Sequence, residues 1–375
     1  MGADRLLESF LDLVRIDSPA GSEAALAAHC AHLLESLGCE VRFDDTTAVT
    51  GSDTGNLIAE LAGTAPGAPT LLLSAHLDCV EPCRGVEPVV RDGVVRSAGD
   101  TVLGADDKAG IAAIIEAMRR VVEAGSPRGN LRVVLTVAEE CGLKGAKALD
   151  PADARADVCL VLDADGDPGG IVTAAPTHLI FVAEFSGTAA HAGVAPEEGR
   201  SALVMASRAV CSMRLGRLDD QTTANAGTLS GGTAVNVVPA FATLAGECRA
   251  LDATRVEETR AAMDAVMRES ADAEGGSVEI RWSREYESYR VPDGSPLIET
   301  VRAACADVGL APRLFATGGG SDGSVFAAHG TPTLVLSSGM RSAHSVDEHI
   351  TVSDLEALAE LVRAAIVRFG LVAAS

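Results

Sequence analysis

Aromatic side chains are scarce: one Trp, two Tyr and eight Phe make up only 3% of the 375 residues. Ala, Val and Leu must therefore fill the core, and an apolar fraction of 47% is enough for that. Positive charge is short as well. Thirty Lys and Arg face 53 Asp and Glu, a formal net charge of −23. That balance argues against nucleic acid and anionic membrane as partners. No apolar run reaches the roughly 18 residues of a membrane span. The start, "MGADRLLESFLDLVR", has early acids and no continuous apolar stretch, unlike a signal peptide. Leu6 stands where a myristoylation motif after Gly2 needs Ser or Thr. The nine Cys contain no CxxC pair, and their odd count reads as mostly reduced thiols in a cytoplasmic chain.

What is present is alternation. "LLESFLDLVRI" and "SEAALAAHCAHLLESLG" carry apolar residues at helical spacing. Short β-rich runs follow: "EVRF", "NLIAEL" and "TLLLSAHLD". After a helix beginning near Lys108 come "LRVVLTVAEE", a short helix around "GLKGAKAL", and "DVCLVLDADG". Strands alternating with helices predict an α/β layered sheet. Near residue 177 the pattern changes. "HLIFVAEFSG", "TANAGTLSG", "FATLAGECRA" and "VEIRWSREYESY" read as strands, with helices at about 198–215 and 253–273. From "SPLIETVRAACADVG" the βα alternation resumes. The expected organisation is a discontinuous first domain, 1–176 and 290–375, with an α+β insert at 177–289.

The chemically pointed residues follow apolar strands. His76 and Asp78 in "SAHLD" are two apart in an extended segment and so share one side. Glu139 and Glu140 end "LTVAEE", Asp163 and Asp165 stand in "LDADG", and Asp106 and Asp107 precede Lys108 in "GADDKAG". In an open parallel sheet the carboxyl ends of the strands line one crevice. His76, Asp106, Glu139, Glu140 and Asp163 gathered there repel one another strongly unless divalent cations hold them, and two such ions make a dinuclear site. His344 in "SAHSVDEH" supplies a second nitrogen. Singly, each signal has an ordinary reading. An Asp pair caps a helix, "EE" is a solvated face, and "DADG" is a turn.

Taken in order, "SAHLD", "GADDKAG", "VAEECGLKGA", "LDADG", "GTAAHAGVAPEEGRSA" and "AHSVDEH" resemble the dinuclear zinc metallopeptidase superfamily. That superfamily includes aminoacylase, glutamate carboxypeptidase, succinyl-diaminopimelate desuccinylase and peptidase T. "LGADDKAG" and "TGGGSDGSVF" are most similar to the peptidase T-like branch.

The resemblance implies a zinc-exopeptidase-like, mostly parallel sheet flanked by helices, with the insert as a lid and dimerisation domain. It implies two divalent ions, Zn2+ or else Co2+ or Mn2+. His76 and Asp163 hold one, Glu140 and His344 the other, and Asp106 bridges both, with a cis peptide bond after it. Asp78 orients His76, and Glu139 is the general base for the attacking water. His191 reaches a partner subunit's site and stabilises the oxyanion; its ordinary reading is a turn residue. Asn236 and Arg249 match substrate-contacting positions, although Arg249 also reads as a surface ion pair. Gly319 and Gly320 lie in a loop that either holds an anionic substrate end or is a tight turn. Thr317 stands where peptidase T has Arg. The implied activity is exopeptidase cleavage of short peptides by a peptidase T-like aminopeptidase, with a carboxypeptidase, an N-acyl amino acid amidohydrolase or a non-catalytic binding relative as alternatives. The implied assembly is a homodimer through "HLIFVAEFSG" and the helix near 198–215. Cys79 and Cys141, beside these residues, read as packing residues.

Overall fold

Four strands that read as apolar runs lie side by side and parallel: Leu131–Thr136, Leu71–His76, Val158–Ala164 and Thr333–Ser337. Leu71–His76 is buried along its whole length, as a strand covered by helices on both faces must be. Towards its margins the sheet turns antiparallel. Leu57–Leu61 pairs with Leu131–Thr136 and with Glu40–Phe43, and Gly170–Ala175 pairs with Thr333–Ser337. This computed structural model describes residues 2–372; Met1 and 373–375, at the ends of the expected first domain, lie outside the described residues.

Helix Ala105–Glu123 packs on the central strands and against Val352–Leu371 and Gly2–Val14. One cluster of the core is mainly aliphatic, with Ile58, Leu72, Val134, Val161 and Val335 of the sheet packed with Phe326 of Asp322–Ala328. Glu116, 1% exposed, is held by Arg5 at 2.8 Å, Arg119 at 3.0 Å and Arg120 at 2.8 Å. Arg120 extends the network to Glu356 and Glu360.

The chain divides into two units. Met1–Thr173, Arg290–Ala316 and Ser321–Ser375 form the first, and Ala174–Tyr289 with Thr317–Gly320 the second. The glycine loop thus clusters with the second unit. That unit is a five-stranded antiparallel sheet in the order Gly216–Asp219, Thr222–Gly231, Phe241–Ala250, Thr177–Ser186, Ser277–Tyr286. Burial now alternates residue by residue, as on a sheet with one covered face. Ala253–Ala273 contributes to the cover through Val256, Thr259, Met263, Met267 and Ser270 at helical spacing. Asp252 starts that helix by accepting the Thr254 and Arg255 N–H groups. The helix expected near 198–215 is shorter, Ala202–Ser212, because Ser201 caps it at Val204 and Met213 is already extended. Thr177–Ser186 has a strand on each side, so it offers no edge through which a second copy could extend the sheet.

Candidate metal centre

His76 is the last residue of its strand, and its side chain meets several carboxylates there. Its Nδ1 lies 2.9 Å from the Asp78 carbonyl oxygen. A carbonyl only accepts, so Nδ1 carries the proton and Nε2 faces the acids. Nε2 is 3.1 Å from Asp106 Oδ1 and 3.8 Å from Asp163 Oδ1. The other Asp106 oxygen, Oδ2, is 3.1 Å from His344 Nε2, which in turn is 2.9 Å from Glu140 Oε1. Asp106 therefore stands between two imidazoles, each with its own further carboxylate.

Asp78 was expected to orient His76. Its main-chain oxygen is the nearer contact, and its buried carboxylate lies 3.5 Å from Nδ1. The same carboxylate accepts the N–H groups of Glu139 at 2.9 Å and Glu140 at 3.1 Å. This fixes the turn bearing both glutamates. Glu23, also buried, accepts the Ala138 N–H at 3.1 Å on that turn.

At the head of the long helix the Asp106–Asp107 peptide is cis. Asp107 is the capping residue: Oδ1 accepts the Gly110 N–H at 3.2 Å, and Oδ2 the His76 N–H at 3.3 Å. The two adjacent aspartates thus separate into one that faces the imidazoles and one that binds the backbone. Lys108, 1% exposed, donates to the Ile16 carbonyl at 2.8 Å. Cys79 Sγ is 3.5 Å from the Asp106 carbonyl oxygen, so it packs against the backbone there. Cys141 is exposed.

Burial and like charge act together on these acids. Burial pushes the Asp163 and Glu139 carboxyls well up, and for Glu139 the Asp163 carboxylate adds to it. Asp106 goes the other way: burial raises its pKa, but the hydrogen bonds from His344 and His76 outweigh that and hold it far below the usual range. The same contact with Asp106, and then with Glu140, raises His344 to about 10. The ligand atoms of His76, Asp106 and Glu140 lie within 4.8 Å of one another, as do those of His76, Asp107 and Asp163. Imidazole nitrogen and carboxylate oxygen are the donors that suit Zn2+, Co2+ or Mn2+, so this donor set fits divalent cations. Since both Asp107 oxygens already accept N–H bonds, Asp163 is the better placed of those two acids.

The remaining expected residues belong to the second unit. His191 is exposed, and its segment pairs with that of Asn236: Ala192 N–H donates to the Asn236 carbonyl at 3.0 Å and Val238 N–H to Ala190 at 2.9 Å. Arg249 bonds Glu247 at 2.9 and 3.2 Å, the Tyr286 hydroxyl at 3.0 Å and the Gly318 carbonyl at 3.3 Å. The Gly319 N–H donates to the Thr317 hydroxyl at 3.1 Å, which closes the loop on itself there instead of presenting that N–H to a substrate. Gly320 packs on Tyr286 so tightly that an added Cβ would lie 2.2 Å from the ring.

Sequence reasoning missed the bonds of Asp78 to the two glutamate N–H groups, the bond from the His76 N–H to Asp107, and Glu23. It also missed Asp322, a buried carboxyl bonded to the Thr136 hydroxyl and pushed up to about 6 by burial. Spacing along the chain carries no signal for contacts with a distant backbone.

Comparison with known proteins agrees with this geometry. The pattern of the peptidase family M20/M25/M40 matches residues 72–368. A Bacillus subtilis (strain 168) protein described as uncharacterized protein YqjE is 41% identical over 362 residues, 96% of this chain and 97% of that one. The aminopeptidase PepT of Bacillus cereus ATCC 10987 superposes with a TM-score of 0.92 at 40% identity, over 98% of each chain. A tripeptidase of Staphylococcus aureus subsp. aureus Mu50 superposes with a TM-score of 0.95 at 35% identity, again over 98% of each. With a match over most of its length and a fold shared end to end with these peptidases, the chain belongs to peptidase family M20/M25/M40 and is a metallopeptidase of that family.

Proposed function

We propose that the chain is a cytoplasmic, homodimeric aminopeptidase of the peptidase T-like kind, acting on short peptides with two divalent cations, zinc being the first candidate. The carrying observation is Asp106, whose two carboxylate oxygens each lie 3.1 Å from a different histidine. His76 and Asp163 would hold one ion, His344 and Glu140 the other, and Asp106 would serve both. The two ions, when bound, polarise the scissile carbonyl and make the attacking water more acidic.

The rest falls to the chain. Glu139 is 8% exposed and feels the Asp163 charge, and its neighbour Glu140 is the one committed to His344. Glu139 takes the proton from the attacking water and gives it to the leaving amine. Asp78 holds His76 and the glutamate turn in place. His191 donates to the oxyanion, and Asn236 and Gly320 contact the peptide. Helix Ala202–Ser212, which exposes Val204 and Cys211, is the dimer face.

Arg249 favours the aminopeptidase over the carboxypeptidase and the acyl-amino-acid amidohydrolase. Its three guanidinium nitrogens already bond Glu247, Tyr286 and Gly318, which makes it a weak anchor for a terminal carboxylate. The similarity to an aminopeptidase PepT and a tripeptidase points the same way.

A peptide panel with free and blocked ends, assayed with Zn2+, Co2+ and Mn2+, tests this. Cleavage that needs a free amino end is expected. Cleavage of amino-blocked peptides that needs a free carboxyl end would reverse the assignment.

A further inference from the structure

Glu348 is 1% exposed and has no part in the roles above. Its carboxylate reaches the segment before the long helix: Oε2 accepts the Gly104 N–H at 2.7 Å and Oε1 the Asp106 N–H at 2.9 Å. Both oxygens are committed to donors, so it is not a further metal ligand. Its own N–H donates to the Ser345 carbonyl at 3.0 Å, and Arg341 and His349 close the same turn with two main-chain bonds of 2.9 and 3.1 Å. That turn carries His344 at φ 62°, a conformation a side-chain-bearing residue keeps only when its surroundings impose it. One buried side chain thus joins the segment that presents Asp106 to the turn that presents His344, and those two meet at 3.1 Å.

We infer that Glu348 is a positioning residue that fixes Asp106 against His344 and thereby sets the affinity for both cations. The inference rests on the two-cation reading above. A purely structural Glu348 would satisfy two N–H groups, and its loss would lower stability alone. A positioning Glu348 predicts more: because Asp106 serves both ions, both affinities fall together. Outer contacts of this kind change metal affinity by about 10–100-fold.

The test is Co2+ titration of the metal-free protein, read by visible absorption and chelator competition. Glu348→Gln keeps the side-chain size but turns an NH2 towards one of the two N–H donors. It should remain folded by circular dichroism, bind both Co2+ ions ~10–100-fold more weakly and show an altered Co2+ spectrum. Glu116→Gln, in the ion network of helix Ala105–Glu123, should lower the melting temperature and leave Co2+ affinity unchanged. Should Glu348→Gln not fold, Glu348→Asp keeps the charge one methylene shorter and is read the same way. Unchanged Co2+ affinities in a folded Glu348 variant, or weakening of one ion alone, overturn the inference. A wild-type protein that takes up no Co2+ overturns the two-cation reading itself and the inference with it, and the two failures differ in the wild-type titration.

Discussion

Glu139 and Glu140 are adjacent, carry the same group and hang from the same Asp78 carboxylate by their N–H bonds, yet their side chains face different partners. Glu140 reaches His344 at 2.9 Å, whereas Glu139 is buried and its carboxyl is pushed up by burial and then by the Asp163 charge. Glu140→Gln should weaken one ion and lose activity that excess metal partly restores. Glu139→Gln should keep both ions while kcat falls by ~10²–10⁴ with little change in KM. Metal titration beside steady-state kinetics decides between them: a metal-free Glu139→Gln with a metallated but inactive Glu140→Gln reverses the roles. Asp106 and Asp107 pose the same problem one turn away. Asp106→Ala should release both ions and Asp163→Ala mainly one, measured as bound metal per chain. Which Asp of the pair faces the imidazoles was not legible from spacing, because the deciding partners, the His76 and Gly110 N–H groups, are not marked by any motif.

Elements were easier to read than contacts. Continuous apolar runs such as "TLLLSAH" announced the buried parallel strands, and the alternating strands after residue 177 announced a sheet with one covered face. The reactive residues sit where those runs stop, which is why the candidate site could be located from the sequence at all. Helix-to-helix contacts were illegible, since they depend on which charged residue faces which across the fold. Glu116 shows this: it is one acid among 53, yet it joins three helices through Arg5 and Arg120. Burial raises its pKa, but the hydrogen bonds from Arg5 and Arg120 outweigh that and lower it. A lowered carboxylate stabilises the fold fully above its unfolded pKa and loses that contribution as pH falls through its folded one. Glu116→Gln should therefore cost about 2 kcal/mol near neutral pH. The gap from wild type should shrink as pH falls below the ordinary carboxylate range. Urea unfolding across that range measures it, and a gap that widens in acid would contradict the assignment.

At the scale of the whole chain, all eight groups around the candidate centre — His76, Asp78, Asp106, Glu139, Glu140, Asp163, His344 and Glu348 — lie in the first unit, whereas His191, Asn236 and Arg249 lie in the second. The division into a βα part and an α+β part was legible because the hydrophobic period changes between them. "HLIFVAEFSG" is apolar enough to suggest an interface, but its apolarity serves the unit's own core through Leu179, Phe181, Ala183 and Phe185. An interior strand and an interface strand carry the same pattern, so only the pairing on both sides separates them. Helix Ala202–Ser212 exposes Val204 and Cys211, and the turn bearing His191 is exposed as well. If His191 of one protomer serves the other protomer's centre, a protomer lacking His191 and one lacking Glu139 complement each other. The two inactive variants His191→Ala and Glu139→Ala, mixed in equal amounts, form hybrid dimers in which one site carries both lesions and the other none. With half of the dimers hybrid, about a quarter of wild-type activity should return. The recovery should follow the rate of subunit exchange seen by native mass spectrometry. Full exchange without recovered activity would mean that each His191 acts, if at all, within its own chain.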